Sequence, residues 1–203
     1  MVGISTGNKD IDEFLKEYSL ITTIYGQAST GKTTLAMLAV INQTKQKKKV
    51  IFVDTENGFS LERLKQLTPD FKDILKNIIL VKPKTFEEQE KVILNLPKAS
   101  LIIIDTISQF YRMKLKEDNY LTNKSLDKQL RKLKEISKEI PVIINNQVYS
   151  DINGNVNIVG GDMLRNWSDT VIKLEKNPRK LKIEKPEKKE FLFEIKENGI
   201  IKK

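Results

Sequence analysis

Eight consecutive residues, Gly26-Gln27-Ala28-Ser29-Thr30-Gly31-Lys32-Thr33, set two glycines, a lysine and a hydroxyl at the spacing G-x-x-x-x-G-K-[ST]. Each fixed position answers a need of a triphosphate. Glycines let the backbone wrap with its N–H groups aimed at phosphate oxygens, and a helix starting near Lys32 adds the positive end of its dipole. The Lys32 ammonium reaches the β and γ phosphates, and the Thr33 hydroxyl is the expected Mg²⁺ ligand. Gly26 to Thr33, with Thr34 behind them, are therefore the expected ATP site. The pattern alone arises by chance in roughly 1% of chains this long, so its setting between a strand and a helix matters. Ala28 and Ser29 stand where many such loops carry Pro or Gly.

Two apolar runs end in acids. Leu101-Ile102-Ile103-Ile104 delivers Asp105 to a strand end. The carboxyl ends of parallel strands face the ligand crevice, so Asp105 is the expected second holder of Mg²⁺, beside Thr33. Val50-Ile51-Phe52-Val53 delivers Asp54-Thr55-Glu56 in the same way. One of these two carboxylates could orient an attacking water. Glu56 has the longer reach, but composition does not choose between them.

The elements that must position these residues alternate short apolar runs with amphipathic stretches, the rhythm of an α/β fold with a mostly parallel sheet. Strands are predicted over Leu20–Tyr25, Val50–Val53, Ile78–Val81, Leu101–Ile104 and Val142–Ile144. A helix apolar on most sides runs from Thr33 to about Thr44, as expected of one covered by the sheet. Leu61, Leu64 and Leu67 mark a short helix that stops near Pro69. Thr85-Phe86-Glu87-Glu88 matches a capping box and starts a helix to about Leu96. Leu126, Leu130, Leu133 and Ile140 keep helical spacing up to Pro141. Beyond this the pattern shortens. Val171, Leu174, Leu181, Ile183, Phe191, Phe193 and Ile195 read as antiparallel strands on one side of the sheet, divided by Asn177-Pro178 and Lys185-Pro186. No repeat or boundary interrupts the chain, so 1–203 is expected to form a single domain.

Composition narrows the chemistry. With 203 residues, 39% hydrophobic and 31% charged, the chain can bury a sizeable core. No apolar run reaches the about 18 residues of a membrane span, and no secretory signal is present; a cytoplasmic location is expected. There are no cysteines and no histidines, so disulfides, thiolate and imidazole catalysis are excluded, and any metal is held by oxygen. The formal charge of +9 fits attraction to a phosphate polymer, and equally a lysine-rich composition bias. Residues 173–203 alone hold eleven Lys/Arg against six Glu.

An ordered set of further motifs carries a family resemblance: Ser5-Thr6-Gly7 with Ile11-Asp12, Asp54-Thr55-Glu56 then Glu62-Arg63-Leu64, Ile104-Asp105-Thr106-Ile107 with Tyr111-Arg112, Asn145-Asn146-Gln147-Val148-Tyr149-Ser150-Asp151, Gly160-Gly161 and Trp167-Ser168-Asp169-Thr170. The chain resembles the RecA-type recombinases nearly end to end. The resemblance implies a RecA-like P-loop ATPase core and assigns roles. Glu56 falls where the family has its water-activating carboxylate, ahead of Asp54. Arg63 falls where a guanidinium packs on adenine. Gln147 falls where a strand-end amide senses the γ-phosphate and moves the loop after it. Arg112 to about Asn123 and Tyr149 to Gly160 correspond to the family's two DNA-facing loops, with Arg112, Lys114 and Lys116 as phosphate contacts. Asn153-Gly154 in the second is also a strong hairpin turn. Trp167, taken alone, reads as core.

Two departures qualify the resemblance. RadA-type recombinases carry an N-terminal helical domain and an aromatic-x-x-Ala tether, and a chain whose core motifs begin this close to Met1 is expected to lack both. Asp162 follows Gly160-Gly161 where the nearer relatives are expected to have His, and an acid there repels phosphate. The resemblance therefore implies an ATP- and DNA-binding accessory protein of homologous recombination and DNA repair, with weak DNA-dependent ATPase activity at most. DNA and the main RadA-like recombinase are its implied partners, and self-association is compatible with it. Two alternatives stand beside it: a full DNA-dependent ATPase recombinase, and a nucleotide-gated protein adaptor without DNA binding.

Overall fold

β-Branched and aliphatic runs make strands here because their side chains pack on both faces of a covered sheet. The structure is a computed structural model and describes residues 5–15, 20–150 and 156–203. The chain opens with helix α1 (Lys9–Leu15), strand β1 (Ile21–Gly26), helix α2 (Lys32–Lys45) and strand β2 (Val50–Asp54). Short helices α3 (Leu61–Leu67) and α4 (Phe71–Leu75) lead to β3 (Ile78–Val81), α5 (Phe86–Leu94) and β4 (Leu101–Asp105). Helices α6 (Gln109–Lys114) and α7 (Asn119–Ser137) precede β5 (Val142–Asn146), the short pair β6 (Val148–Ser150) and β7 (Val156–Ile158), and α8 (Gly161–Trp167). Four strands close the chain: β8 (Thr170–Lys176), β9 (Arg179–Lys185), β10 (Lys189–Lys196) and β11 (Gly199–Lys202).

Among the described residues, nine strands form one sheet in the order β11-β10-β9-β8-β1-β5-β4-β2-β3. The strands from β8 to β3 in that order run parallel, and β9, β10 and β11 continue the sheet antiparallel. This is the predicted mostly parallel α/β fold with its antiparallel side. One detail differs. Val171 and Leu174 lie on β8, which pairs parallel with β1 before the chain reverses at 177–178. A strand that must follow α8 back to the sheet returns in the parallel sense, and only then can a tight turn reverse it.

Alternation along each strand divides the core. Ile24, Val50, Phe52, Leu101, Ile103 and Ile172 pack with α2 and with Phe191 and Phe193 of the C-terminal strands. Ile51, Val53, Ile102, Ile104, Val142 and Ile144 face the opposite layer with Leu126, Leu130 and Leu133 of α7. A one-residue slip would exchange these faces, so register is tightly set. It pairs Asp54 with Asp105, Asp105 with Asn145, and Tyr25 with Asn146. The chemistry-bearing residues thus share the carboxyl ends of the central parallel strands.

Local signals fix the helix starts. Thr85 Oγ1 accepts the Glu88 N–H, while Glu88 Oε2 accepts from the Lys84 N–H, one residue earlier than an ideal capping box. Helix α7 begins at Asn119, seven residues before the apolar spacing that starts at Leu126, because Asp118 caps the Leu121 N–H, an interaction contributing about 1 kcal/mol.

Candidate functional site

The loop 26–31 joins the end of β1 to the start of α2. A Cβ at Gly26 would lie 2.3 Å from the Leu174 carbonyl oxygen of β8, so this position has room only for glycine. Gly31 caps α2 at φ 106, and a Cβ there would stand 2.8 Å from Ile195 Cδ1 of β10. Lys32 Nζ donates to the carbonyls of Gly26 at 2.9 Å and Gln27 at 3.0 Å. Burial pulls its ammonium below the usual lysine value, opposed by the Asp105 and Glu56 charges. Thr30 is buried and its hydroxyl also donates to Gln27 O at 2.9 Å.

Thr33 Oγ1 donates to Asp105 Oδ2 at 2.7 Å, joining the start of α2 to the end of β4. Burial raises the Asp105 carboxyl above the ordinary carboxylate value; the Thr33 hydroxyl pulls it partway back, and the Glu56 and Asp54 charges add to the rise. A hydroxyl and a carboxylate are hard oxygen donors suited to Mg²⁺. Among the described residues no group of three or more His, Cys, Asp or Glu could hold a metal ion. The pair therefore fits a cation that takes its remaining ligands from phosphate and water, the usual habit of Mg²⁺.

The two acids after β2 have separate tasks. Asp54 is buried and accepts the N–H groups of Gly58 at 2.9 Å and Phe59 at 3.1 Å, so it folds its own turn. Glu56 is exposed, and its Oε1 accepts from the Thr106 hydroxyl at 2.7 Å and from Gln147 Nε2. Gln147 Oε1 in turn accepts from Arg112 Nη1 at 2.8 Å. A continuous polar line thus runs from the end of β4 through Glu56 and Gln147 to Arg112 on α6.

Other predicted residues are placed differently. Arg63 is tied to the β10–β11 turn, donating to Lys196 O at 2.9 Å and Glu197 O at 3.1 Å, with Gln66 Oε1 at 2.9 Å. The segment from Arg112 to Asn123 is not the expected loop. Arg112 and Lys114 sit in the last turn of α6, and Lys116 in the short link to α7, because the Asp118 cap starts the next helix early. Lys114 lies between Glu87 at 3.0 Å and Glu117 at 2.8 Å, which hold its ammonium above the usual lysine value. Arg112 and Lys116 are exposed. In the second segment β6 and β7 pair as antiparallel strands; Asn153-Gly154 and Asp151 lie outside the described residues. Asp162 stands in the first turn of α8, where an acid complements the helix dipole. Trp167 is not plain core: its indole N–H donates to Asp127 Oδ1 at 2.8 Å and Arg131 lies over its ring.

Sequence reasoning missed two participants. Thr106 appears in the sequence only as a motif neighbour of Asp105, yet its hydroxyl holds Glu56. Arg179 enters the sequence reading only as one of the eleven basic residues of 173–203, yet its guanidinium donates to Ser29 O at 3.0 Å and reaches Thr30 O at 3.5 Å. No local pattern could have announced a contact across 150 residues of sequence.

A parallel sheet with a G-x-x-x-x-G-K-T loop after β1, an acid at the end of β4 and an antiparallel C-terminal extension define a RecA-like P-loop core. The sequence profile of the Rad51 family matches residues 1–203, and the chain belongs to that family. It is 40% identical over 200 residues to the DNA repair and recombination protein RadB of Methanococcus maripaludis strain C7, covering 91% of this chain and 92% of that one. RadB of Methanocaldococcus jannaschii is 39% identical over 171 residues, covering 79% and 80% of the two chains. A crystal structure of the RadB recombinase superposes with a TM-score of 0.80 at 32% identity, covering 97% of this chain and 98% of that one. No helix among the described residues is long and apolar enough to cross a membrane.

Proposed function

We propose that this protein binds ATP with Mg²⁺ at Gly26–Thr34 and binds DNA as an accessory factor in homologous recombination and repair, with slow ATP turnover. The observation that carries the nucleotide reading is the 2.7 Å bond between Thr33 and Asp105, which puts both proposed metal ligands at the mouth of the glycine loop. Lys32 would hold the β and γ phosphates, Glu56 would orient water, and Gln147 would answer to the γ-phosphate. Mg²⁺, when bound, would neutralise charge on the phosphates. The Arg63 guanidinium, steadied by the β10–β11 turn, would face the base. The RadB names of the relatives support the recombination role, and a RadA-like recombinase is the partner this reading expects.

The DNA reading rests on Arg112 and Lys116 at the exposed end of α6, with Arg112 bonded directly to Gln147. Filter binding across a salt series tests it. Affinity should fall linearly in log–log form, and a flat line from low to high salt would leave the protein-only adaptor instead. Repeating the titration with and without ATP on wild type and Lys32→Ala tests the switch: nucleotide dependence should be present in wild type and absent in the variant.

A further inference from the structure

Arg179 is the first residue of β9, directly opposite Lys176 where the β8–β9 hairpin closes. Strand β8 is paired to β1 with Leu174 opposite Gly26, so the hairpin is anchored on the strand that gives rise to the phosphate loop. From this footing Arg179 Nη1 donates to Ser29 O at 3.0 Å and reaches Thr30 O at 3.5 Å. Three other loop carbonyls have their own partners: Gly26 O and Gln27 O accept from Lys32 Nζ, and Gly31 O accepts from the Leu35 N–H at 2.9 Å.

We propose that Arg179 is a positioning residue for the phosphate loop, holding two of its carbonyls so that the amides of Thr30 and Gly31 are presented to phosphate. The physical argument is short. In a trans peptide the C=O and N–H point in opposite directions. Ser29 C=O shares its peptide with Thr30 N–H, and Thr30 C=O shares its peptide with Gly31 N–H. A guanidinium fixing both carbonyls on one side fixes both amides on the other. A cation on the carbonyl also polarises the peptide, which strengthens its N–H as a donor. Ser29 itself sits at φ 63, a conformation that costs a non-glycine residue energy and needs support from outside. Arg179 supplies that support from a strand pair built into the sheet.

This inference rests on the nucleotide reading for its functional consequence but has a physical consequence of its own. The test uses the full chain with Arg179→Ala and Arg179→Lys. Amide hydrogen exchange over residues 27–31, measured without added nucleotide, should be about tenfold faster in Arg179→Ala, while the core strands exchange as in wild type and the melting temperature holds. Calorimetry with MgATP and with MgADP should show both affinities lowered by the same factor, about tenfold for a charge-assisted hydrogen bond. Arg179→Lys should recover part of each loss. Unchanged loop exchange, or acceleration spread over the whole sheet, overturns the proposal. Loss of ATP affinity with ADP affinity intact also overturns it, since that marks a direct γ-phosphate contact. Wild type that takes up neither nucleotide would sink the nucleotide reading, and the exchange measurement would still decide whether Arg179 braces the loop.

Discussion

Gln147 Nε2 donates to Glu56 Oε1, the same oxygen that accepts the Thr106 hydroxyl. The acid assigned to water and the amide assigned to the γ-phosphate are thus direct partners, reaching from the ends of β2 and β5 across the end of β4 between them. Glu56 can serve a water only in the orientation that Thr106 and Gln147 permit. Glu56→Gln should therefore keep MgATP affinity within about twofold while lowering single-turnover hydrolysis at least about 100-fold, the usual range for a lost general base. Calorimetry beside a rapid-quench assay separates the two. Equal loss of affinity and rate would assign Glu56 to binding.

Both ends of the Gln147 amide are engaged, Nε2 with Glu56 and Oε1 with Arg112 at 2.8 Å. A phosphate oxygen is a stronger acceptor for a guanidinium than a neutral amide, so DNA at Arg112 would compete with Gln147 and loosen the line to Glu56. Groups in one network give non-additive effects of about 0.5–3 kcal/mol. Arg112→Ala and Gln147→Ala, singly and together, should each remove the response of hydrolysis to DNA, with the double variant no worse than either. Strictly additive losses would show that the two side chains act independently.

The Asp105 carboxyl is raised above its ordinary value by burial. The sign follows from linkage. Its folded form binds protons more tightly than the unfolded chain, so its contribution to stability is complete below the unfolded value and is lost as pH rises through the folded one. Once ionised, the buried Asp105 carboxylate is a cost that a bound cation would offset. Without Mg²⁺ and nucleotide, Asp105→Asn should raise the melting temperature at pH 7 and flatten its fall between the acid range and neutrality. Adding MgATP should stabilise wild type and leave the variant almost unmoved. Thermal scans at several pH values decide it, and an identical pH profile in both proteins would remove Asp105 as the titrating group.

Strands were legible because a covered parallel strand reads as an unbroken apolar run, as Leu101–Ile104 does, and the glycine loop was legible because its spacing is itself the mechanism. The choice of Glu56 over Asp54 was not legible from composition. Two acids at one strand end look alike until the backbone turns: Asp54 then points back to Gly58 and Phe59 while Glu56 meets Thr106. The early start of α7 at Asn119 was hidden because Asp118 caps a stretch whose apolar spacing starts only later. Arg179 was hidden because a contact made by the return of four C-terminal strands leaves no trace in local spacing.

Lys114 and Lys116 are two residues apart and equally charged, yet their surroundings set them apart. The Lys114 ammonium is already paired with Glu87 and Glu117, so a DNA phosphate must displace carboxylates to reach it. Lys116 is exposed and has no ion-pair partner among the described residues. Each phosphate contact contributes about 0.9 to the salt slope on duplex and about 0.7 on single strands. Lys116→Ala should lower the slope by about one contact, while Lys114→Ala should lower it by clearly less. Replacing both acids, Glu87→Gln with Glu117→Gln, frees Lys114 and should steepen the slope toward one contact more than wild type. Binding isotherms at four or five salt concentrations measure all three. A Lys114→Ala slope that falls as far as that of Lys116→Ala would show that the ion pairs open at no cost on binding, and that charge position alone governs this surface.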